Sequence, residues 1–253
     1  ARNRISITSY MNRRTFLKGA SAGIAATSLL GTKAVANSAK ELRVGLIGCG
    51  GRGTGAAMQA LNADPDVVLY AMGDLTADRL QQSHAGLTTT FGDRLQADST
   101  RQFVGFDAFE KVIEQVDVIL LATPPVFRPQ HLRAAVEAGC HVFCEKPVAV
   151  DGAGVRSVLE TAAMAQAKGL SVASGFCWRS AFGHRALYQR IHQGEIGKVV
   201  GVHATYMAGQ LWSKERQAEW SDLDYQLRNW VYYTQLGGDH VVEQAIHSVD
   251  KIL

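Results

Sequence analysis

The sequence lacks the features of disulfide-stapled, fibrous and membrane-spanning chains. Its 253 residues include only four cysteines and five prolines, far from disulfide-rich or collagenous compositions. An N-terminal apolar run, Gly19–Leu30, has 12 residues, whereas a bilayer-spanning helix needs about 20. With 47% hydrophobic and 19% charged side chains, a chain of this length buries roughly 70 to 75% of its unfolded surface. These values exclude a disordered tail or coiled coil, and predict no permanent membrane span.

Acidic residues are absent from residues 1–36, which hold six of the 26 Lys and Arg side chains. The remaining 217 residues therefore carry 20 basic and 23 acidic groups. A body with a small negative net charge has no overall attraction to a polyanion. The sequence predicts no nucleic-acid partner.

The basic N-terminal stretch resembles a twin-arginine export signal. Asn12–Lys18 contains the paired arginines, the weakly apolar run follows, and Ala34–Ala36 forms an A-x-A cleavage site. We expect residues 1–36 to be a leader, recognised by the twin-arginine export machinery, of a periplasmic or cell-envelope protein. The alternative is a basic amphipathic N-terminus without a targeting role.

The cysteines do not have the loop spacings of a disulfide framework. Cys49, Cys140, Cys144 and Cys177 each fall in a predicted strand or tight turn, which favours buried free thiols. In the strand around His141, Cys140 and Cys144 share one face while the imidazole points to the other. The sequence therefore predicts no metal site at these cysteines.

Short apolar runs alternate with amphipathic stretches over residues 37–176. This pattern predicts a doubly wound parallel α/β sheet of the Rossmann type, with helices on both faces. The predicted strands are 42–47, 67–72, one near Phe103, 116–122, 141–144 and 170–175, and the predicted helices are 54–62, 76–85, 108–114, 129–138 and 151–168.

Residues 177–253 have a different pattern. We predict a helix over 180–193, a strand over 198–207, an irregular stretch over 209–230 and a last helix from about Asp239. A lone strand is not stable, so this region is interpreted as the start of an incomplete α+β domain. The chain also begins at Ala1 although Met11 stands just before the twin-arginine motif. We expect it to be a fragment of a longer protein.

A glycine fingerprint follows the first predicted strand. It consists of Gly48, Cys49, Gly50, Gly51, Arg52 and Gly53. In a G-x-G-x-x-G turn the first glycine permits the tight turn, the second lets a pyrophosphate approach, and the third lets the helix pack on the strand. The fingerprint predicts a dinucleotide whose phosphates face the helix N-terminus.

Asp74 ends the second predicted strand, 21 residues after Gly53. A carboxylate at this place accepts hydrogen bonds from ribose hydroxyls and repels a 2′-phosphate, which favours NAD over NADP. Its neighbour is Leu75 rather than a basic residue, although Arg79 lies nearby in sequence. The alternative role is a simple helix cap.

Two turns at strand ends are expected to line the cofactor crevice. Thr123 and Pro124 follow one strand, and Glu145, Lys146 and Pro147 follow the next. Ligands bind at the carboxyl ends of strands in open α/β sheets. The ammonium of Lys146 is therefore a candidate catalytic group, against the alternative of an ordinary surface lysine.

The last predicted helix carries Glu243, His247 and Asp250 at i, i+4 and i+7. This spacing predicts that the three side chains share one helical face. A histidine beside a carboxylate, with a lysine from another strand, is suited to proton transfer near neutral pH. Alternatives are a polar stripe packed on the other domain and, less favoured, a mononuclear metal site.

The glycine fingerprint, the Glu145–Lys146–Pro147 turn and the helix ending at His247 together resemble the Gfo/Idh/MocA oxidoreductases. The resemblance implies a Rossmann domain followed by an open-sheet α+β domain, through which family members usually form homo-oligomers. It implies a sugar, inositol or other polyol substrate, with NAD or NADP. It assigns catalytic roles to Lys146 and His247, with Glu243 where the family commonly has Asp, and a weaker substrate role to Trp178 and Arg179.

These features predict an oxidoreductase that moves a hydride between a polyol carbon and the nicotinamide. His247 would take the hydroxyl proton and Lys146 would stabilise the developing alkoxide. One alternative is a glycosidase that oxidises its sugar transiently with bound NAD. Another is a dinucleotide-binding sensor without catalysis.

Overall fold

Six parallel strands form one sheet in the computed structural model of the protein, which describes residues 41–253. The strands are β1 (Leu42–Ile47), β2 (Val67–Asp74), β3 (Gln102–Val104), β4 (Val118–Leu121), β5 (His141–Cys144) and β6 (Val172–Ser174). They lie in the order β3-β2-β1-β4-β5-β6, and every neighbouring pair is parallel. This is the strand order of a Rossmann sheet, so the predicted α/β fold is confirmed. The predicted leader, residues 1–36, lies outside the described residues.

One helix follows each of the first five strands. These helices are α1 (Gly51–Ala63), α2 (Ala77–Phe91), α3 (Ala108–Ile113), α4 (Arg128–Glu137) and α5 (Gly152–Ala167). Neighbouring residues of a strand point to opposite faces of the sheet. Leu46 therefore packs with Leu61 of α1 and Leu80 of α2, whereas Ile47 packs with Val112 of α3 and Leu132 of α4.

The strand order reverses between β1 and β4, which are neighbours at the centre of the sheet. The chain runs from β1 toward β2 and β3 on one side, and from β4 toward β5 and β6 on the other. The loops after β1 and β4 therefore leave in opposite directions and open a crevice at the carboxyl edge. The predicted cofactor residues follow the strands that border this crevice.

Helices and irregular backbone make up the chain after β6. A 3₁₀ turn (Cys177–Ser180) leads to α6 (Phe182–His192), and later come α7 (Asp222–Arg228) and α8 (Thr234–Gly237). A π-helical segment, Val241–Ala245, then runs directly into α9 (Ile246–Ile252). The sequence predicted irregular structure over all of 209–230, so α7 is a correction; its capping box, in which Ser221 and Asp224 bond reciprocally, explains its start.

The predicted strand over 198–207 is wrong for this structure. These residues have neither helix nor strand, and all six described strands belong to the parallel sheet. Val200 and Met207 are 91% and 94% exposed. A strand needs a partner for its backbone groups, and the described residues provide none here.

Three of the four cysteines are buried free thiols, as predicted: Cys49, Cys140 and Cys144. Cys177 is exposed, which corrects the expectation for that residue, because it begins a 3₁₀ turn in which no residue is buried. Within residues 41–253, no cluster of three or more His, Cys, Asp and Glu is arranged to hold a metal ion. No helix in this range is both long and apolar enough to cross a membrane.

Candidate active site

The turn after β1 requires glycine at two positions and leaves space at two others. Gly48 has a φ of +97°, and a Cβ on Gly53 would lie 1.8 Å from the Gly48 carbonyl oxygen. A Cβ on Gly50 would meet only Arg79 Nη1, at 3.9 Å, and one on Gly51 would meet nothing within 4 Å. The backbone is therefore packed tightly on the protein side and open on the side facing the crevice.

The first turn of α1 presents free backbone donors to this open side. Gly50 is the N-cap and supplies no side-chain bond, and no acidic residue occupies the first turn. The N–H groups of a helix N-terminus and the helix dipole both favour an anion. The turn thus fits the diphosphate of a dinucleotide.

Asp74 connects the end of β2 to the glycine turn. Its Oδ2 accepts a hydrogen bond from the Cys49 backbone N–H at 2.7 Å, and its Oδ1 accepts one from the Thr76 N–H at 2.9 Å. The Thr76 hydroxyl also donates to Oδ1, at 3.2 Å. Oδ2 retains a further lone pair, so a ribose hydroxyl can still bind there. Burial raises the pKa of the Cys49 thiol well above its usual value. The thiol therefore remains protonated, and Cys49 contributes its backbone rather than a nucleophile.

The glycine turn opens onto a cavity of about 880 Å³. This volume is in the range of cofactor pockets. Nine of the predicted cofactor residues line it: Gly48, Cys49, Gly50, Gly51, Arg52, Gly53, Asp74, Thr123 and Pro124. Glu145 and Lys146 do not, so the structure divides the predicted set between this cavity and the neighbouring end of β5.

Aromatic residues that the sequence analysis missed also line the cavity. They are Phe106, Phe109, Phe127, His131, Trp212 and Trp230. His131 stacks on Phe109 with ring centroids 4.1 Å apart, and burial lowers its pKa to about 4. The imidazole is therefore neutral at pH 7. Scattered aromatic residues give no local motif, and only the folded chain brings them to one cavity.

An ion pair holds one wall of this cavity in place. Arg228 of α7 binds Asp78 of α2 through two hydrogen bonds of 2.8 and 2.9 Å. Its guanidinium also lies over the Trp220 ring, 4.5 Å from the centroid. The hydrogen bonds from Arg228 keep the pKa of the Asp78 carboxyl below its usual value. The segment before the last helix is thus attached to α2 beside the glycine turn.

The Glu145 carboxylate lies between the glycine turn and β6. Its Oε1 is 3.2 Å from Arg52 Nε in α1. A Cβ on Gly175 would come within 2.5 Å of its Oε2, so glycine at that position leaves room for the carboxylate. The predicted cofactor residues Arg52 and Glu145 are therefore partners of one another.

Lys146 meets Glu243 at the carboxyl end of β5. The Nζ atom donates to Glu243 Oε1 at 2.7 Å and also to the Glu243 backbone carbonyl. Both side chains are largely buried, at 13% and 10% exposed, and the peptide bond between Lys146 and Pro147 is cis. Gln244 donates to Glu243 Oε2, and Tyr206 donates to Gln244 Oε1 at 2.9 Å. Lys146 is thus held in a network rather than free in solvent.

His247 follows the π-helical segment that carries Glu243. Burial lowers the pKa of its imidazole, the Lys146 ammonium lowers it further, and Glu243 raises it. Its Nδ1 is buried without a hydrogen-bond partner, and its ring packs near Phe176 and Tyr206. A neutral imidazole near an ammonium is able to accept a proton at pH 7.

Glu243 and Asp250, which were predicted to share one helical face with His247, have separate ion-pair partners. Asp250 pairs with Arg179, whose Nε lies 2.6 Å from Asp250 Oδ1, whereas Glu243 pairs with Lys146. The π-helical segment changes the spacing that the sequence analysis assumed for a regular α-helix. Trp178 lies under the ammonium of Lys251, 4.3 Å from its Nζ. Trp178 and Arg179 therefore both contact α9.

A second cavity of about 220 Å³ lies beside the Lys146–Glu243 pair. Its polar lining consists of Tyr232, Thr234, Asp239, His240, Glu243 and Gln244. Leu211 and Val231 also line it, whereas their neighbours Trp212 and Trp230 line the larger cavity. The two cavities therefore share a wall formed by these two short stretches.

The sequence is similar to those of proteins named as inositol and sugar enzymes. Inositol 2-dehydrogenase 4 of Saccharopolyspora erythraea is 31% identical over 171 residues, which cover 67% of this chain and 46% of that protein. A glycosyl hydrolase family 109 protein of Shewanella amazonensis is 26% identical over 251 residues, or 90% of this chain and 52% of that protein. The chain thus spans about half the length of these curated relatives.

A solved structure has the same fold. The apo scyllo-inositol dehydrogenase of Lactobacillus casei matches with a TM-score of 0.62 and 20% identity, over 84% of this chain and 54% of that chain. At this identity the likeness concerns the fold.

Residues 42–175 match the GFO_IDH_MocA family, described as an oxidoreductase family with an NAD-binding Rossmann fold. The matched region is more than half of the chain, and includes all six strands, the glycine turn, Asp74 and Lys146. The resemblance drawn from the sequence motifs is thereby confirmed: this chain belongs to the Gfo/Idh/MocA oxidoreductase family.

Proposed function

We propose that the protein is an NAD(P)-dependent oxidoreductase that acts on a sugar, an inositol or a related polyol. The observation that carries this proposal is the Lys146–Glu243 pair, 2.7 Å apart at the carboxyl end of β5, which lies close enough to His247 for both of its charges to influence the pKa of that imidazole. The family match and the relatives named inositol dehydrogenase support it.

The residues around the larger cavity fit a dinucleotide. The N–H groups at the start of α1 would hold the diphosphate, and Asp74 would accept the adenosine ribose hydroxyls. When bound, the dinucleotide supplies hydride transfer to or from a carbon of the substrate. Asp74 would repel a 2′-phosphate, which favours NAD over NADP, while Arg79 beside the glycine turn is the residue that would moderate this preference.

The chain's own residues then handle the proton. His247 is neutral and would accept the proton of the reacting hydroxyl. The Lys146 ammonium would stabilise the oxygen as it gains negative charge. Glu243 would fix the direction of that ammonium through its two contacts with Nζ. Trp178 and Arg179 are weaker substrate candidates, since both already contact α9.

A second candidate function is an NAD-dependent glycosidase. The relative named as a glycosyl hydrolase family 109 protein aligns with 90% of this chain. In such a mechanism the same proton-handling groups serve a transient oxidation of the sugar, and the cofactor is regenerated within each cycle. Net NADH formation therefore distinguishes a dehydrogenase from such a glycosidase.

The test uses the full-length protein with NAD and a panel of myo-inositol, scyllo-inositol, D-glucose and nitrophenyl glycosides. A dehydrogenase gives a stoichiometric rise in NADH absorbance, and a glycosidase releases nitrophenol without one. Lys146→Met should reduce either activity about 10²- to 10⁴-fold while NADH binding persists. The control is Lys111→Met, at an exposed side chain of α3. NADH binding without turnover across the panel would instead support a dinucleotide sensor.

The proposal also covers the export route and the oligomeric state of the protein. We propose that the protein leaves the cytoplasm by the twin-arginine route to the periplasm or cell envelope, and that the full-length protein is a homo-oligomer. Replacing Arg13 and Arg14 by lysine should trap the protein in the cytoplasmic fraction. Equal export of the variant and the natural sequence would contradict the assignment of this leader.

A further inference from the structure

Arg128 is a buried arginine at the start of α4, 3% exposed. Its guanidinium donates to three backbone carbonyls. Nε bonds to Thr123 O at 3.0 Å, and Nη1 bonds to Glu145 O at 2.8 Å and to Pro147 O at 2.5 Å. These carbonyls belong to the turns that follow two neighbouring strands, β4 and β5.

Two of these acceptors flank the lysine of the site. Glu145 and Pro147 are the residues directly before and after Lys146, so one nitrogen of the guanidinium holds the backbone on both sides of it. The third bond ties this turn to the end of β4, where Thr123 lines the larger cavity. The guanidinium thereby fixes the position of the Lys146 backbone relative to the sheet.

The charge of Arg128 has no direct ion-pair partner. Among the ion pairs of residues 41–253, none includes this guanidinium. Burial lowers the pKa of Arg128, against the longer-range effects of Cys144, Glu145 and Glu243. A buried cation compensated mainly by carbonyl bonds is costly compared with an apolar side chain of similar size. What Arg128 provides, and an apolar side chain would not, is the set of three hydrogen bonds to the turns after β4 and β5.

The geometry requires arginine rather than any cation. A guanidinium presents several N–H donors in one rigid plane, whereas a lysine presents a single nitrogen on a flexible stem. A lysine here retains the charge but cannot reproduce the donors on both Nε and Nη1. A comparison of arginine with lysine at this position therefore distinguishes the effect of the positive charge from the effect of the donor geometry.

We propose that Arg128 is a positioning residue that holds the Lys146 turn so that the ammonium meets Glu243. The proposal rests on the proposed function, in which Lys146 stabilises charge on the reacting oxygen. A displacement of about 1 Å at a reacting group reduces a rate roughly 10²-fold. Arg128 acts on the rate through Lys146, without contacting substrate itself.

The experiment compares Arg128→Lys and Arg128→Gln with Arg133→Gln on the same helix, where the arginine is exposed and pairs with Glu137. For a substrate found in the panel, turnover should fall about 10²-fold in Arg128→Gln and at least about tenfold in Arg128→Lys. KM should change little, and NADH affinity should stay within about twofold. Added guanidinium ion should restore part of the turnover of Arg128→Ala.

The pH profile provides a readout that loss of folding would not move. His247 is influenced by Lys146, Glu243, Asp250 and Lys251, with the rings of Phe176 and Tyr206 beside it. Lys146 lowers the pKa of His247, so a displaced ammonium lets that pKa rise. The acid limb of the rate profile should move to higher pH in Arg128→Lys and stay in place in Arg133→Gln.

A crystal structure of Arg128→Lys judges the proposal independently of activity. The proposal expects the contact between Lys146 Nζ and Glu243 Oε1 to be lost or lengthened from 2.7 Å. An unchanged contact, or unchanged turnover with normal NADH binding, would overturn it. Absence of turnover in the natural protein would refute the proposed function, while the crystal structure would still decide the role of Arg128.

Discussion

His131 is a titratable side chain that the fold keeps neutral. It is 6% exposed, and burial lowers its pKa from 6.5 to about 4. As the pH falls, the unfolded chain takes up a proton at this residue before the folded chain does. The free energy of unfolding therefore has its full value above about pH 7 and decreases as the pH falls between the two pKa values.

We expect His131→Phe to lose less stability in acid than the natural protein. The two pKa values differ by an amount that corresponds to about 3 kcal/mol, an order-of-magnitude figure. Phenylalanine keeps the aromatic stack on Phe109 but does not titrate. Urea unfolding at pH 7.5 and pH 4.5 measures the difference, with His192→Gln on the exposed end of α6 as the control. If the free energy of unfolding decreased equally in the natural protein and in His131→Phe between these pH values, His131 would not be held neutral by burial.

A second residue-scale prediction concerns Glu243. Its carboxylate raises the pKa of His247, so Glu243→Gln should lower that pKa further. The acid limb of the pH–rate profile should then move to lower pH, opposite to the direction expected for Arg128→Lys. Turnover at its pH optimum should also fall, because the ammonium loses its carboxylate partner. An unchanged acid limb would show that Glu243 does not act on the titrating group.

Local sequence pattern was sufficient for some site residues and insufficient for others. Lys146 and the glycines stand in short motifs at strand ends, where their chemistry can be inferred from neighbours in sequence. Arg128 has no such motif, since its acceptors lie up to 19 residues away. The neighbouring Pro129 gives no sign that Arg128 will be buried. Its role follows only from the contacts between strand-end turns.

At the scale of elements, the glycine turn offers a matched pair of substitutions. A Cβ on Gly53 would lie 1.8 Å from the Gly48 carbonyl, whereas one on Gly51 would meet nothing within 4 Å. Gly53→Ala should therefore separate α1 from β1, lower the melting temperature by several degrees and abolish NADH binding. Gly51→Ala should keep the melting temperature or raise it, because alanine favours the helix. Calorimetry and NADH titration test both, and equal melting temperatures would contradict the described packing.

The sheet was predictable because its signals are local, and so was α6, which lies within the helix predicted over 180–193, whereas the structure of residues 198–230 was not. Each strand of the sheet is an apolar run bounded by turn residues, and its neighbours are supplied by the same repeating pattern. Residues 198–207 have strand-like composition, but composition does not provide a pairing partner. The π-helical segment Val241–Ala245 likewise has no simple sequence signal. The spacing argument for Glu243 and Asp250 assumed a regular α-helix throughout this stretch.

At the scale of the whole molecule, the pair between Asp78 and Arg228 attaches the wall of the larger cavity to α2. Asp78→Asn should release NADH faster, because the wall loses an ion pair. A pair of this kind contributes about 1 kcal/mol, which corresponds to roughly a fivefold change in rate. Stopped-flow tryptophan fluorescence measures it, since Trp212 and Trp230 line the cavity.

The control for this prediction is Asp222→Asn, which removes the exposed pair with Arg216 in the same segment. Its release rate should match that of the natural protein. Equal rates in all three proteins would mean that the wall does not limit release. The wall could not be predicted from the sequence, because Trp212 and Arg228 belong to a polar stretch without periodicity.

The pairing of Lys146 with Glu243 spans 97 positions of the chain. Ribosomes add about 5 to 20 residues per second, and N-terminal parts fold first. Because Glu243 follows Gly53 by 190 residues, the nascent chain presents its glycine turn about 10 to 40 seconds before the lysine gains its partner. Translation thus completes the proposed coenzyme site first, and the proposed catalytic lysine gains its partner only when the π-helical segment emerges.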